Sequence, residues 1–173
     1  MDTLQCIKAR RSCRAFLDKE VEKEKIEKVV EAGLFAPSGH NSQCPHIAVI
    51  TDLGKIEELS QLNAKIMGTD NDPFYGAKAV LLVYCEDFPT AVYDGSLCLG
   101  YMLLEATELG LASIWVHRAK EEFESEEGKA LFRKWGLIKG DERFIGIGHC
   151  CLGYAAAPAM EKAIKAGRVA YLD

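Results

Sequence analysis

The sequence predicts one domain of mixed α and β structure, and three observations carry that prediction. The chain has 173 residues with 49% apolar and 27% charged side chains, the length and composition of one globular unit with a sizeable core. Segments with apolar residues at helical spacing alternate with short β-type runs. No repeat and no Gly-, Pro- or Ser-rich linker divides the chain. Alternation of this kind reads as an α/β domain with four or five strands.

The elements follow in order. Thr3 reads as the cap of a short helix through Ala9, with Leu4 and Ile7 on one face. Arg10 to Phe16 breaks that pattern and reads as a loop. From Glu22 to Leu34 the apolar positions Ile26, Val29, Val30 and Leu34 recur at helical spacing, until Pro37, Ser38 and Gly39 open a polar turn. His46 to Thr51 reads as a strand, and Asp52 as the cap of a helix to about Lys65. Asn63 to Gly76 is loop-like, and Ala79 to Tyr84 is a buried strand. Tyr93 to Leu109 is apolar nearly all round, the pattern of a central buried helix, with Gly110 as its stop. A strand over Ala112 to His117, a charged helix from about Ser125 to Trp135 and a strand from Phe144 to Leu152 follow. Arg168 to Leu172 reads as one more short strand.

Charge and motif searches exclude several functions. Lys plus Arg total 21 against 26 Asp plus Glu, a net charge of -5, so a binder of nucleic acid or anionic membranes is not expected. The start of the chain has no basic region followed by an apolar core, and apolar stretches such as Ala79 to Cys85 fall far short of the ~20 residues of a membrane span. A cytoplasmic protein is the expectation. The seven cysteines form no regular framework, and neither they nor His40, His46, His117 and His149 have metal-ligand spacing. Cys85 and Cys98 read as small buried hydrophobes. The vicinal Cys150 and Cys151 would point to opposite faces of a strand. There is no P-loop and no nucleophile elbow, and Gly146-Ile147-Gly148 reads as glycines easing a strand rather than as a dinucleotide motif. Asp70-Asn71-Asp72 lacks the later Glu of a calcium loop. Cys44 beside His40 and His46 is too close in sequence for a facing nucleophile and base.

Two features remain. Arg10-Arg11-Ser12-Cys13-Arg14 puts three guanidiniums and a hydroxyl where a helix gives way to a loop; it reads either as an anion cradle or as a solvated charge run. Pro37-Ser38-Gly39-His40-Asn41-Ser42-Gln43 is a polar turn offering hydroxyls, amides and free backbone groups, or an ordinary loop.

In this order and spacing the motifs resemble those of the nitroreductase family of FMN-dependent oxidoreductases. Arg10 to Phe16 resembles the family's Arg-Arg-Ser-x-Arg-x-Phe, and Ala36 to Gln43 its Ala-Pro-Ser-x-x-Asn-x-Gln turn. Tyr93-Asp94-Gly95-Ser96 through Leu109-Gly110-Leu111 resembles the buried helix that leads to a Gly-Leu-x-Ser-x-Trp strand. Gly153-Tyr154, a basic tail and Arg168-Val169 match the family's ending. The resemblance implies an α+β sandwich with a central, mostly antiparallel sheet flanked by helices, which replaces the simpler alternation. It also implies a homodimer with shared active sites, in which the C-terminal segment is exchanged.

The resemblance further implies that Arg10, Arg11, Ser12 and Arg14 hold the phosphate, ribityl chain and pyrimidine edge of FMN. Pro37, Ser38 and Asn41 would reach the flavin held mainly by the other subunit. Backbone N–H groups at His117 and Arg118 would meet the flavin N5 and O4, and Lys165 and Arg168 would meet the phosphate. Many relatives have Arg-Lys where this chain has Ile164-Lys165, so one phosphate contact is missing or comes from Lys162. His40 and Cys44 stand where relatives vary and often touch substrate; no metal site is implied. The implied reaction passes hydride from NAD(P)H through flavin N5 to an electron-poor acceptor (nitroaromatic, quinone or activated alkene) in a ping-pong cycle. A flavin-consuming relative, a dehydrogenase of a specialised metabolite and a non-catalytic flavin sensor are the alternatives. A guanidinium at the pyrimidine edge would stabilise the anionic reduced ring, and each charge-assisted hydrogen bond contributes roughly 1.5–3 kcal/mol.

Overall fold

A computed structural model describes residues 1–140 and 142–172. The chain opens with α1 (Thr3–Ala9), which is capped by Asp2 rather than Thr3: the Asp2 carboxylate accepts from the Gln5 N–H at 2.8 Å, and the Gln5 side chain accepts from the Asp2 N–H. Next come α2 (Lys23–Leu34), a 3₁₀ turn (Gly39–Asn41), β1 (Pro45–Ile50) and α3 (Leu53–Met67). Asp52 caps α3 as expected, accepting from the Lys55 N–H at 3.0 Å. This helix runs past Lys65 to a left-handed Gly68, so Asn63 lies buried inside it rather than opening a loop.

The rest of the order is β2 (Ala79–Glu86), α4 (Ala91–Glu108), β3 (Ala112–Val116), α5 (Ala119–Glu124), α6 (Glu126–Lys134) and β4 (Phe144–Gly153). Gly110 and Gly136 take φ of 72° and 74° and stop α4 and α6, as the sequence predicts. Ser125 caps α6 by accepting from the Gly128 N–H. The Arg168–Leu172 segment forms no strand. It lies exposed, and among the described residues no strand stands beside it to complete a ladder.

The four strands form one sheet in the order β1-β2-β4-β3, and every neighbouring pair is antiparallel. The alternation of elements along the chain therefore does not produce a parallel α/β sheet. The fold is α+β, a sheet with helices on both faces. Against one face pack α2 and α4, burying Val29, Leu81, Val83, Leu99, Met102 and Leu152; against the other lie Leu59, Phe74, Leu82, Phe123 and Phe132 from α3, the following loop, β2, α5 and α6. Cys150 belongs to the first layer and Cys151 to the second, as strand alternation requires. Val83 stands opposite Gly148 but Tyr84 opposite Gly146, so Ile147 is an extra residue in a β-bulge. The two glycines have a steric reason: a Cβ at Gly146 would sit 2.1 Å from the Ala119 carbonyl oxygen, and one at Gly148 would sit 2.2 Å from Trp115 Nε1.

Among the described residues no helix is long and apolar enough to cross a membrane.

Candidate active site

The arginine window is an extended strip laid on the free edge of β3. Ser12 pairs with Ser113 in a parallel bridge, and the Cys13 N–H donates to the Ser113 carbonyl at 2.9 Å. Further along, Leu17 N–H donates to the Tyr154 carbonyl and Ala156 N–H to that of Ala15, so the start of the C-terminal tail runs beside the strip. The strip meets β3 near its start, at Ser113, and then passes to the tail that continues β4 beyond Gly153, the partner of Ala112, while His117 and Arg118 follow the far end of β3.

The three arginines have different surroundings. Arg11 is spent on backbone: its guanidinium donates to the carbonyls of Lys8, Arg10 and Met160, closing the end of α1 and fastening the tail. Arg10 is half-buried, Arg14 is exposed, and neither forms an ion pair among the described residues. The Ser113 hydroxyl, on the strand residue opposite Ser12, is buried and has no partner there either. Lys165 and Arg168 lie on the exposed tail, and no hydrogen bond holds either side chain among the described residues.

At the end of β3, Arg118 takes a left-handed backbone with φ of 80° and begins α5. Ser113 turns its N–H and C=O toward the strip, so alternation turns those of Val116 toward β4. Among the described residues the His117 and Arg118 N–H groups donate to no acceptor.

The polar turn at residues 37–43 is built on Asp94, which the sequence reading quoted within a motif without giving it a role. This carboxylate, buried at the start of α4, accepts from the Gly39 N–H at 3.0 Å, the Ser42 hydroxyl at 3.2 Å, the Thr90 hydroxyl at 2.7 Å and the Cys44 thiol at 3.5 Å. Burial pushes its carboxyl upward, but the donors, Thr90 and Gly39 foremost, outweigh burial and hold it below the ordinary carboxylate value. The signal available in sequence was a single acid on the buried face of an apolar helix. Around this anchor His40, Asn41 and Gln43 all have positive φ, 52°, 54° and 50°. Ser38 Oγ accepts from the Gln43 N–H at 3.0 Å, and Pro37 and Asn41 are exposed. His40 is exposed, whereas Cys44 is buried with burial raising its thiol.

The structure thus sets the strip on the start of β3 and the His117–Arg118 corner at that strand's far end, and holds the polar turn elsewhere. Helix α1, from which the strip emerges, is tied to the last turns of α4 by the Cys6 thiol, which donates to the Leu104 carbonyl at 3.2 Å. The polar turn is tied to the first turn of that helix. No hydrogen bond among the described residues joins the turn to the strip or to the corner. One face of α4 is exposed and apolar between these points: Tyr93, Leu97 and Tyr101 are 72%, 44% and 40% accessible at four-residue spacing, beside Leu34 and Phe35 at the end of α2.

The candidate site thus combines a sheet flanked by helices, a cationic strip bridged to one edge strand and two backbone donors open at that strand's end among the described residues. The chain belongs to the nitroreductase family, whose model matches residues 7–154. It is similar to two archaeal proteins provisionally named NADH dehydrogenase/NAD(P)H nitroreductase. The one from Archaeoglobus fulgidus is 29% identical over 88% of this chain and 85% of that protein. The one from Methanothermobacter thermautotrophicus is 30% identical over 66% of this chain, and the match spans 60% of that protein's length. Among solved structures, a nitroreductase with bound FMN from Bacteroides fragilis NCTC 9343 superposes with a TM-score of 0.90 at 28% identity, covering 100% of each chain.

Proposed function

We propose that the chain is an FMN-dependent NAD(P)H oxidoreductase that works as a homodimer, each subunit a single FMN-binding domain spanning residues 1–173. The observation that carries this reading is the docking of the arginine strip on β3, the strand that leads into the His117 and Arg118 N–H groups, which have no acceptor among the described residues. The residues fit the cofactor. Among the described residues Arg10 and Arg14 have no acidic partner, the buried Ser113 hydroxyl is unanswered, and two N–H groups have no acceptor. In the neighbour from Bacteroides fragilis a protein of this fold holds FMN.

When bound, FMN would supply the hydride chemistry that links NAD(P)H to an electron-poor acceptor such as a nitroaromatic, quinone or activated alkene. Arg10, with Lys165 and Arg168 from the tail, neutralises the phosphate. Ser12 meets the ribityl chain, and Arg14 lies against the pyrimidine edge, where its charge favours the reduced ring. The His117 and Arg118 N–H groups orient the N5 and O4 edge. Pro37, Ser38 and Asn41 come from a second copy, with the exposed His40 next to them at the mouth where acceptors enter; Cys44, buried and donating to Asp94, stands behind the turn. Arg11, engaged by three carbonyls, supports the strip from behind. The exposed α4 stripe favours the second copy, since an apolar stripe on a helix is commonly covered by a partner. The exposed tail, with Met160, Ile164, Val169, Tyr171 and Leu172 all open, favours an exchanged C-terminal segment.

The test is the visible spectrum of the purified protein, taken as isolated and after incubation with FMN. A flavin spectrum that bleaches on adding NADH or NADPH and returns with an organic acceptor is expected. A colourless protein that cannot be loaded with FMN overturns the reading.

A further inference from the structure

The core on the α3 side of the sheet holds a polar cluster that no step above uses. His149 on β4 and Glu122 on α5 are both fully buried, with His149 Nε2 2.9 Å from Glu122 Oε2. Asn63 on α3 is 1% exposed, and its amide donates to Glu122 Oε1 at 2.6 Å and to the His117 carbonyl at 2.9 Å. The other ring nitrogen, His149 Nδ1, lies 3.3 Å from the Val116 carbonyl oxygen. The Phe74 ring, 5.1 Å from the imidazole, closes the cluster against apolar neighbours. Burying three polar side chains in an apolar layer is costly unless each is satisfied.

Each contact has a complementary partner: a ring N–H at His149 Nδ1 matches the Val116 carbonyl, and His149 Nε2 faces the Glu122 carboxyl. Asn63 spends both amide protons, one on Glu122 and one on His117. The cluster therefore ends on two consecutive backbone carbonyls, those of Val116 and His117.

Peptide planarity gives that grip a direction. In a trans peptide unit the C=O of one residue and the N–H of the next point opposite ways. Holding the Val116 carbonyl inward turns the His117 N–H outward, and holding the His117 carbonyl inward turns the Arg118 N–H outward. These are the two N–H groups without acceptors, at the corner where Arg118 keeps φ of 80°. A left-handed non-glycine residue persists only where its surroundings over-determine it.

We infer that Asn63, Glu122 and His149 are positioning residues that aim the His117 and Arg118 N–H groups at the N5 and O4 edge of the ring, an inference that rests on the flavin reading above. The test compares FMN with 5-deaza-FMN, which has a carbon–hydrogen group in place of N5 and cannot accept a hydrogen bond there. Dissociation constants are measured by titrating the apoprotein with each.

The intact protein is expected to prefer FMN about tenfold. Asn63→Ala brings the ratio close to one, and Asn63→Ser, whose hydroxyl falls short of the His117 carbonyl, does the same if the alanine variant does not fold. Glu122→Ala also loses the preference, and Glu122→Gln, which can still bond to both His149 and Asn63, keeps it. A merely structural role would weaken both ligands alike and leave the ratio unchanged, and that result overturns the inference, as does an intact protein with no preference. Failure to bind either flavin instead overturns the flavin reading, and this inference falls with it.

Discussion

Asp94 accepts a hydrogen bond from the Gly39 N–H at 3.0 Å, joining the start of the buried helix α4 to the polar turn. The approach is close: a Cβ on Gly39 would sit 2.4 Å from Thr90 Oγ1. Three non-glycine residues with positive φ lie just beyond, and such backbone persists only when held. Asp94 is what holds it.

Asp94→Ala leaves the Gly39 N–H and the Thr90, Ser42 and Cys44 donors without their acceptor. Losing the partner of buried donors costs about 1–3 kcal/mol, and a charged partner more. Urea unfolding should place Asp94→Ala at least about 2 kcal/mol below the parent. FMN retention should fall with it under the proposal that the turn serves a second copy's site.

The same carboxylate sets an acid dependence. Its carboxyl titrates below the ordinary value of 3.8 in the folded protein, so its contribution is fully present above that value and is lost as the pH falls through the lowered one. The stability gap between the parent and Asp94→Asn should therefore be constant near neutrality and shrink in acid below about pH 4. A gap that widens in acid contradicts this assignment.

Arg14→Ala removes a guanidinium with no acidic partner among the described residues, whereas Arg118 is assigned a contact through its backbone. FMN affinity should fall roughly 10- to 150-fold for Arg14→Ala, the equivalent of one charge-assisted hydrogen bond. Arg118→Ala should change it far less. Equal losses, measured by flavin fluorescence, would refute the assignment.

Leu97→Asp puts a charge in the middle of the exposed α4 stripe, away from every residue assigned to the flavin. Sedimentation should show a monomer, and the monomer should release FMN. A monomer that keeps its flavin at low concentration contradicts a site shared between copies.

Thiol chemistry should divide sharply by burial. Burial raises the Cys85, Cys150 and Cys151 thiols and pushes Cys98 up to about 12, so these four are protonated at neutral pH. An aromatic disulfide reagent at pH 8 should modify the half-exposed Cys13 in the native protein and reach those four only on unfolding.

Much of the fold was legible because its signals are local. Asp52, Ser125, Gly110 and Gly136 mark helix ends by their own chemistry, and the Ala79–Tyr84 run could only be a buried strand. Helix α5 was missed because six residues are too few to display a period. Neither the antiparallel pairing nor the order β1-β2-β4-β3 was visible in the alternation of elements, since pairing is a long-range property; the mostly antiparallel sheet came from the resemblance, and the order only from the structure. At the site, the arginine window and the polar turn were legible as unusual chemistry. Their supports, Asp94 beneath one and the His149–Glu122–Asn63 cluster behind the other corner, were not, because each residue acts through partners distant in the chain.

The docking of Ser12 on Ser113 has a consequence for solubility. Strand β3 closes the sheet on one side, and an edge strand with free backbone groups invites pairing with other chains. The arginine strip occupies that edge, and its positive charges repel a second strip. The segment assigned to the phosphate therefore also acts as a cover. A substitution that loosens it, such as Ser12→Pro, would leave a protein that both loses its ligand and presents a raw sheet edge to its neighbours, so aggregation would accompany loss of the cofactor.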